Sequence, residues 1–361
     1  KKLTLEKMYV MIYSLKELFF CLVHIISGTY SGVLRAPGLF ILEVLFMEEK
    51  EFKTLDELIE ILIKRGVNIS SSSDKDYAKR VLQKYGYYNL INGYNKLFLD
   101  NSVHNDYPIY VAGTTLCEIN ALYQFDRALR NIFFRYILET ETTVKSLISY
   151  YFSEAHGHKN YLVYTNFNTS LKNSENKITS LIAEIQRQIA GRSSDPSIAH
   201  YLRKHGYIPL WVLNNILTLG TISKFYSLML PSERQKVSKQ FNMMDNDLEN
   251  ALLYISTIRN FCAHGNRLYC FRTKKPLSNT IYHSKLKIPQ NEDHEYLCGK
   301  RDLFACMIAL KRLLSNNDYK RLSKEVYRSI GTLNKKLTIL SQNTILKEMG
   351  FPENWRELNT Y

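Results

Sequence analysis

The sequence predicts an all-α protein, and three observations support this fold class. Apolar residues recur every three or four positions in successive segments, which is typical of one face of an amphipathic helix. Two pairs, Thr54 with Glu57 and Thr115 with Glu118, have the spacing of a helix N-terminal capping box. No segment keeps the alternation of apolar and polar residues that marks a half-buried strand.

The first two helices are predicted between Thr54 and Gly86. One begins at Thr54 and ends at Gly66, and its apolar face carries Leu55, Leu58, Ile59 and Leu62. A serine and aspartate start in SSSSDKDYAKRVLQKYGYYNL predicts a second, short helix that turns at Gly86. The tyrosine-rich stretch that follows, Tyr85–Phe98, could stack on bases, but packing between helices is the favoured role of these rings.

Four further helical segments are predicted in the middle of the chain. A long helix begins at Thr115 and extends to about Ala155, and NSENKITSLIAEIQRQIAG is a polar helix. IPLWVLNNILTLGTISKFYSLMLP reads as an apolar pair of helices broken at Gly220. The next helix begins at an Asp/Asn cap near Asp245 and ends at Gly265.

The C-terminal part combines a loop-like insert with basic helices. The insert runs from 265 to 300, and the helices after it carry more Lys and Arg than Asp and Glu. The candidate RNA-binding residues are basic side chains just after Gly265 and in these helices: Arg267, Arg272, Lys311, Arg312, Lys320, Arg321, Lys335 and Lys336.

The charge balance favours a polyanionic partner. Lys and Arg number 48 against 34 Asp and Glu, a net charge of +14, so RNA, DNA or an anionic membrane surface is the expected class of partner. The six cysteines form no C-x-x-C pair, which fits a reduced, cytoplasmic compartment better than a disulfide framework. Cys262 and Cys270 flank His264, but a second ligand pair is missing, and we expect no metal and no cofactor.

The segment from Leu18 to Phe46 is strongly apolar but is interrupted by Arg35 and Pro37. Its longest clean apolar run is shorter than the roughly 20 residues of a membrane-spanning helix, so we expect no stable membrane partner. Ordinary amphipathic patterning begins at Met47. We therefore expect residues 1–46 to be a non-native or upstream-translated extension and 47–361 to be the functional domain.

The stretch STIRNFCAHGNRLYC, from Ser256 to Cys270, concentrates the candidate chemistry. Arg259 offers a permanently charged, planar donor for a phosphate, and His264 offers proton transfer near neutral pH. Asn260 lies four residues before His264, on the same helix face. A polar helix end would explain these residues, and so would a metal-independent RNA-cleaving site. Such a site needs both an acid and a base, which a two-fold dimer would supply.

RNFCAHGNRL resembles the R-x4-H motif of HEPN-fold ribonucleases. Around it, LIKRGVNI, YGYYNLINGY, YVAGTTLCEINALYQFDRALRNIFF, PLWVLNNILTLGTISKFYSLM and MGFPENW resemble, in this order, the bacterial Abi (abortive infection) family of AbiF/AbiD type. The resemblance extends from about Lys50 to Trp355. Residues 1–46 resemble nothing in that family.

The resemblance implies a HEPN-like helical bundle with additional helices, with its core at about 114–340. It implies Arg259 and His264 as the catalytic pair, with Asn260 as their polar neighbour. The implied function is phage defence by a homodimeric endoribonuclease toxin that a structured non-coding RNA restrains.

Three questions stay open at the level of sequence. Asp126, Arg127 and Arg130, in FDRALR, either shape the cleft or the dimer or form a structural salt bridge. The alternative function is a non-catalytic RNA-binding module of a defence ribonucleoprotein, in which His264 is dispensable. Membrane association through residues 18–46 would require that segment to be translated and exposed.

Overall fold

The computed structural model describes residues 51–103, 105 and 107–361, and the compact unit treated below runs from Thr54 to Tyr361. Across these described residues the chain is helical and forms no strand, only three isolated bridges such as Asn68 to Thr115. The all-α prediction is confirmed. The expected extension 1–46 and the start at Met47 lie outside the described residues and stay predictions.

The α-helices follow in this order: α1 (Leu55–Lys64), α2 (Ser72–Tyr85), α3 (Leu116–His156), α4 (Ser174–Gly191), α5 (Pro196–His205), α6 (Leu210–Leu213), α7 (Leu219–Leu228), α8 (Pro231–Lys239), α9 (Asp245–Ala263), α10 (Ile281–Lys285), α11 (Leu303–Leu313), α12 (Asn316–Asn334) and α13 (Gln342–Met349). A π-helical turn, Tyr88–Asn92, and short 3-10 turns at Lys96–Phe98, Tyr164–Asn166 and Trp355–Asn359 connect or follow them.

Helix α3 is the central element of the fold. Its 41 residues span about 60 Å, and it packs against α6, α7, α8, α9, α11 and α12. Thr115 caps its N-terminus by accepting a hydrogen bond from the Glu118 N–H (3.3 Å). The buried Glu118 carboxylate accepts from the backbone N–H groups of Thr338 and Ile339, at 2.6 and 2.9 Å, and so fixes the start of α3 to the C-terminal segment.

One predicted helix boundary and one predicted cap were wrong. The apolar pair breaks between α6 and α7 rather than at Gly220, because the Thr218 hydroxyl caps the second helix through the Thr221 N–H (3.2 Å). Gly220 then lies in the first turn of α7. Helix α9 has Met244 at its N-cap, with no side-chain hydrogen bond, while Asp245 is its first residue.

No helix among the described residues is long and apolar enough to cross a membrane. Five cysteines are free thiols in this part of the chain: Cys117, Cys262, Cys270, Cys298 and Cys306.

Candidate functional site

The three predicted catalytic residues lie at the C-terminal end of α9. His264 is the capping residue, and its N–H donates to the carbonyl of Asn260 (3.0 Å). Gly265 follows with φ +71°, the left-handed conformation that glycine adopts without strain, so the predicted helix end is confirmed. The side chains of Asn260 and His264 are exposed, and Arg259 is half-buried.

Arg259 lies against α3. Its Nε is 3.7 Å from Oε2 of Glu141, and its guanidinium lies over the Phe134 ring at 5.6 Å from the centroid. Glu141 is buried, and its other oxygen lies 2.7 Å from the Lys145 ammonium, four residues further along α3. The site therefore holds two cations around one buried carboxylate.

The contact between Arg259 and Glu141 is an ion pair without a hydrogen bond. Both Nε of Arg259 and Oε2 of Glu141 are buried and have no hydrogen-bond partner. Leaving a buried polar group without a hydrogen bond costs about 1–3 kcal/mol of stability. Charge and ring contact thus hold the guanidinium near the helix end while its donors retain capacity for an anion.

Asp126 anchors the loop that follows His264. Its Oδ1 accepts hydrogen bonds from the backbone N–H groups of Leu268 and Tyr269, at 3.0 and 2.7 Å. Its Oδ2 accepts from the Tyr94 hydroxyl (2.7 Å) and from Arg130. Burial raises the pKa of Asp126, while the guanidinium of Arg130 and the three hydrogen bonds oppose that rise.

Arg130 extends this anchor, and Arg127 does not take part in it. Arg130 is buried and also donates to the carbonyl of Asn266 (3.2 Å), two residues after His264. Arg127 is exposed and lies 3.4 Å from Gln124 of its own helix. The ion pair of Asp126 and Arg130 therefore has a structural role that also shapes the loop beside the candidate site.

In the tyrosine-rich stretch, Tyr85 and Tyr94 pack against other rings as predicted, whereas Tyr88 is exposed. The Tyr94 ring stacks on Tyr269 (5.7 Å between centroids) and meets Tyr123 edge-on (5.2 Å). Tyr85 lies 4.8 Å from the same Tyr123 ring. Segments far apart in the chain thus meet at one point, directly behind the loop after His264.

The two arginines that follow the motif make backbone contacts from exposed positions. Arg267 donates to the carbonyl of Gly93 (3.0 Å), and Arg272 donates to the carbonyls of Phe271 (2.8 Å) and Glu348 (3.0 Å). Both side chains remain exposed at the surface beside this loop.

The structure separates the basic residues of the C-terminal helices into two groups. Lys311 is buried with its ammonium over the Tyr319 ring (5.0 Å), and Arg312 donates twice to Asp247, at 3.2 Å each. These two side chains are held in the interior contacts of α11. The others are exposed on or after α12: Lys320, Arg321, Lys335 and Lys336, with Arg321 paired to Asp318 (2.9 Å).

The cysteines beside His264 are not thiolates at neutral pH. Burial raises the pKa of the Cys262 thiol to about 12, and it also raises the pKa of Cys270. No group of three or more His, Cys, Asp or Glu side chains within the described ranges is arranged to hold a metal ion.

Comparison with known protein families gives a match to the Abi-like proteins over residues 80–270, more than half of the chain. The chain belongs to the family of Abi-like proteins. No curated protein and no solved structure matches it.

The matched segment of this Abi-like chain contains all the contacts that build the site. It includes α3 with Asp126 and Glu141, α9 with Arg259, and the loop to Tyr269. Family membership suggests a role in abortive infection, a form of phage defence. Residues on α11 to α13 lie beyond the matched segment.

Sequence reasoning did not assign Glu141 or Lys145 to the candidate site. These two residues are four positions apart, so they lie on the same face of α3. The other partner of Glu141 is Arg259, which is on a different helix. Only the i,i+4 charge pair within α3 was visible in the sequence.

Proposed function

We propose that the protein is an AbiF/AbiD-type endoribonuclease with a HEPN-like R-x4-H site, which cleaves RNA without a metal and arrests an infected cell. The observation that carries this proposal is the end of α9. There an exposed His264 follows an Arg259 that Glu141 and Phe134 hold at the edge of the core.

Each residue has a defined part in the reaction. The ribose 2′-oxygen attacks the adjacent phosphorus as a base removes its proton, and the bond from phosphorus to the 5′-oxygen breaks as an acid supplies that oxygen with a proton. The products are a 2′,3′-cyclic phosphate and a 5′-hydroxyl. Arg259 stabilises the charge on the non-bridging phosphate oxygens, and Asn260 orients the phosphate or the ribose.

One His264 cannot be both base and acid in the same step. In a two-fold homodimer the second His264 would complete the pair, and two Arg259 side chains would flank the phosphate. We propose this homodimer as the active form. A structured non-coding RNA would restrain it through basic residues that remain exposed, Lys320, Lys335 and Lys336.

The test is cleavage of a labelled RNA by the purified chain, with and without EDTA, compared with the His264→Ala variant. General acid and base catalysis contributes about 100-fold or more to a rate, so we expect at least that loss in the variant. We expect the wild-type rate to be unchanged by EDTA and the products to carry the cyclic phosphate. Because His264 is exposed, the variant should unfold at the same urea concentration as the wild type.

A matched control is His294→Asn. His294 is an exposed histidine in the loop before α11 with φ +58°, a conformation that asparagine tolerates. It should cleave as the wild type does. Equal cleavage by wild type and His264→Ala, or no cleavage by either, would reject the nuclease and leave an RNA-binding module.

A further inference from the structure

A continuous series of aromatic and imidazole rings lies on the surface of α5, α6 and the segments beside them. The Trp211 ring is 5.4 Å from His158, and His158 is 5.3 Å from Tyr207. Tyr207 is 6.3 Å from His205, which lies 5.2 Å from Tyr201. His200 ends the series at 5.6 Å from Tyr201. We name these six residues the ring ladder.

Cations lie beside the middle of the ring ladder and at its His200 end. The Lys159 ammonium lies over the Tyr207 ring, 5.5 Å from its centroid. At the far end, Arg203 and Lys204 are exposed and line the same cleft as His200. Rings with cations beside them match a nucleic-acid strand, which presents a base and a phosphate at each nucleotide.

A cleft opens at each end of the ring ladder. The cleft at His200 has a volume of about 620 Å³, and none of its lining side chains is acidic. The other, of about 520 Å³, lies between the rings of Trp211 and His158 and the outer face of α3. Trp211 is 52 % exposed and Tyr150, on the opposite wall, 62 %. Both walls therefore offer a flat ring to a base.

The cleft at Trp211 is polar on the side that α3 forms. Ser146, Ser149 and Ser153 line it, and Oγ of Ser153 is buried with no hydrogen-bond partner. Its one carboxylate, Glu154, is paired with the ammonium of Lys236 at 2.7 Å. The acid in this cleft is thus paired with a cation, which reduces its repulsion of a phosphate.

Direct contacts connect the ring ladder with the site at Arg259. Asn214, three residues after Trp211, donates its side-chain N–H to the carbonyl of Lys145 (2.7 Å), and Lys145 pairs with the Glu141 that faces Arg259. Along α3, Glu141 and Ser153 are separated by twelve residues, a rise of about 18 Å. A few nucleotides of an extended strand span such a distance.

We propose that the ring ladder is a binding track for single-stranded RNA that places the strand for cleavage at Arg259 and His264. This inference rests on the proposed nuclease function. Single strands are favoured over duplexes because only unpaired bases present their faces to stacking rings. The net charge of +14 and the cations beside the rings favour RNA over an apolar protein partner.

The test uses the fluorescence of Trp211. The chain has two tryptophans, and the other, Trp355, is 3 % exposed, so a ligand that stacks on the protein surface quenches Trp211 selectively. The probe is an RNA of about 12 nucleotides, within the usual range of single-strand sites, with 2′-O-methyl groups that prevent cleavage. We expect quenching by the single strand and none by a duplex of the same sequence.

Affinity variants complete the test. Because these variants lack the Trp211 reporter, their binding is measured by the fluorescence anisotropy of the same RNA carrying a terminal dye. Removing one stacking ring should weaken binding by about ten-fold in Trp211→Ala, and Trp211→Phe should restore most of it. Tyr88→Ala, which removes an even more exposed ring (76 %) outside the ladder, should bind as the wild type does. Wild-type affinity in Trp211→Ala, or equal quenching by the duplex, would overturn the proposal. So would a change of oligomeric mass in Trp211→Ala with RNA affinity retained, because the ladder would then be a protein interface.

The two proposals fail in different measurements. The modified RNA is not cleaved, so its binding is independent of catalysis. Quenching and weaker binding by Trp211→Ala, together with no cleavage of unmodified RNA by the wild type, would support the track and reject the nuclease. Cleavage without any effect at Trp211 would do the reverse.

Discussion

Arg259 is positioned by an ion pair and a ring contact but not by a hydrogen bond. A guanidinium with five donors is usually saturated when it is paired in a protein interior. Here the nearest carboxylate oxygen is 3.7 Å away, and that oxygen has no hydrogen-bond partner either. An incoming phosphate can therefore accept from Arg259 without breaking an existing hydrogen bond.

We predict that Glu141→Gln lowers the rate of RNA cleavage about ten-fold, equivalent to about 1.4 kcal/mol in the barrier, because a neutral amide no longer holds the guanidinium by charge. Single-turnover cleavage measures this loss. In an Arg259→Ala background the same substitution should cause no further loss, since Glu141 acts through Arg259.

Lys145→Gln is the control for Glu141. It removes the other partner of the carboxylate but leaves the charge that faces Arg259. Cleavage should be close to the wild-type rate. Equal losses in Glu141→Gln and Lys145→Gln would show that both act through stability and not through Arg259.

At the residue scale, the sequence predicted the candidate residues at the end of α9. It did not predict the contact that Glu141 of α3 makes with one of them. Arg259, Asn260, His264 and the left-handed Gly265 are neighbours in the chain, so their spacing was sufficient. Glu141 and Arg259 meet only after α3 packs on α9, and no local pattern encodes that contact.

At the scale of elements, side-chain caps explain both the correct and the wrong boundaries. Thr54 forms the predicted capping box, with its N–H donating to Glu57 at 2.6 Å. Gly220 suggested a break between two helices, but the second helix already begins after the capping residue Thr218. Asp245 suggested a cap, but Arg234 lies 3.4 Å from its carboxylate, and the residue is used in an ion pair.

The start of α11 is a junction of three segments built around Asp302. The Asp302 carboxylate accepts hydrogen bonds from the N–H groups of Ala305 (3.1 Å) and Gly299 (2.9 Å). Gly350 lies so close that an added Cβ would be 2.2 Å from this carboxyl group, so only glycine fits there. Burial raises the pKa of Asp302 to about 6, although these hydrogen bonds oppose the rise.

We predict that Asp302 makes the protein less stable as the pH rises from 4 to 7. An unfolded aspartate has a pKa of about 3.9, so between that value and about 6 the folded chain holds a proton that the unfolded chain has lost. The free energy of unfolding therefore falls by up to about 3 kcal/mol as the pH rises from about 4 to above 6.

Urea unfolding of wild type and Asp302→Asn at several pH values measures this effect. The asparagine keeps an oxygen for the helix cap but does not titrate. The unfolding free energy of the wild type should fall relative to the variant as the pH rises. Parallel curves, or a wild type that gains on the variant at higher pH, would contradict the assignment.

At the scale of the whole molecule, α3 brings the functional features together. One helix supplies Asp126 to the loop after His264, Glu141 to Arg259, and Ser153 to the cleft at Trp211. The sequence predicted this helix from end to end, but it could not predict which distant segments pack along it. The ring ladder was invisible for the same reason, since His158 and Trp211 lie in separate segments of the chain that meet only in the folded protein.

We predict that the proposed nuclease acts as a dimer in which two His264 side chains act on one phosphate, so that an inactive chain also inactivates the active chain with which it pairs. When equal amounts of wild type and His264→Ala exchange subunits, roughly half of the wild-type chains are in mixed dimers with a single His264. The cleavage rate per wild-type chain should fall to about half, and further as the variant is added in excess.

His294→Asn, added in the same amount, should raise the total rate instead. RNA kept in large excess over protein prevents the inactive chain from acting by sequestering substrate. An unchanged rate after exchange would mean that a single chain carries the complete site. Both the acid and the base would then have to come from the chain that supplies Arg259.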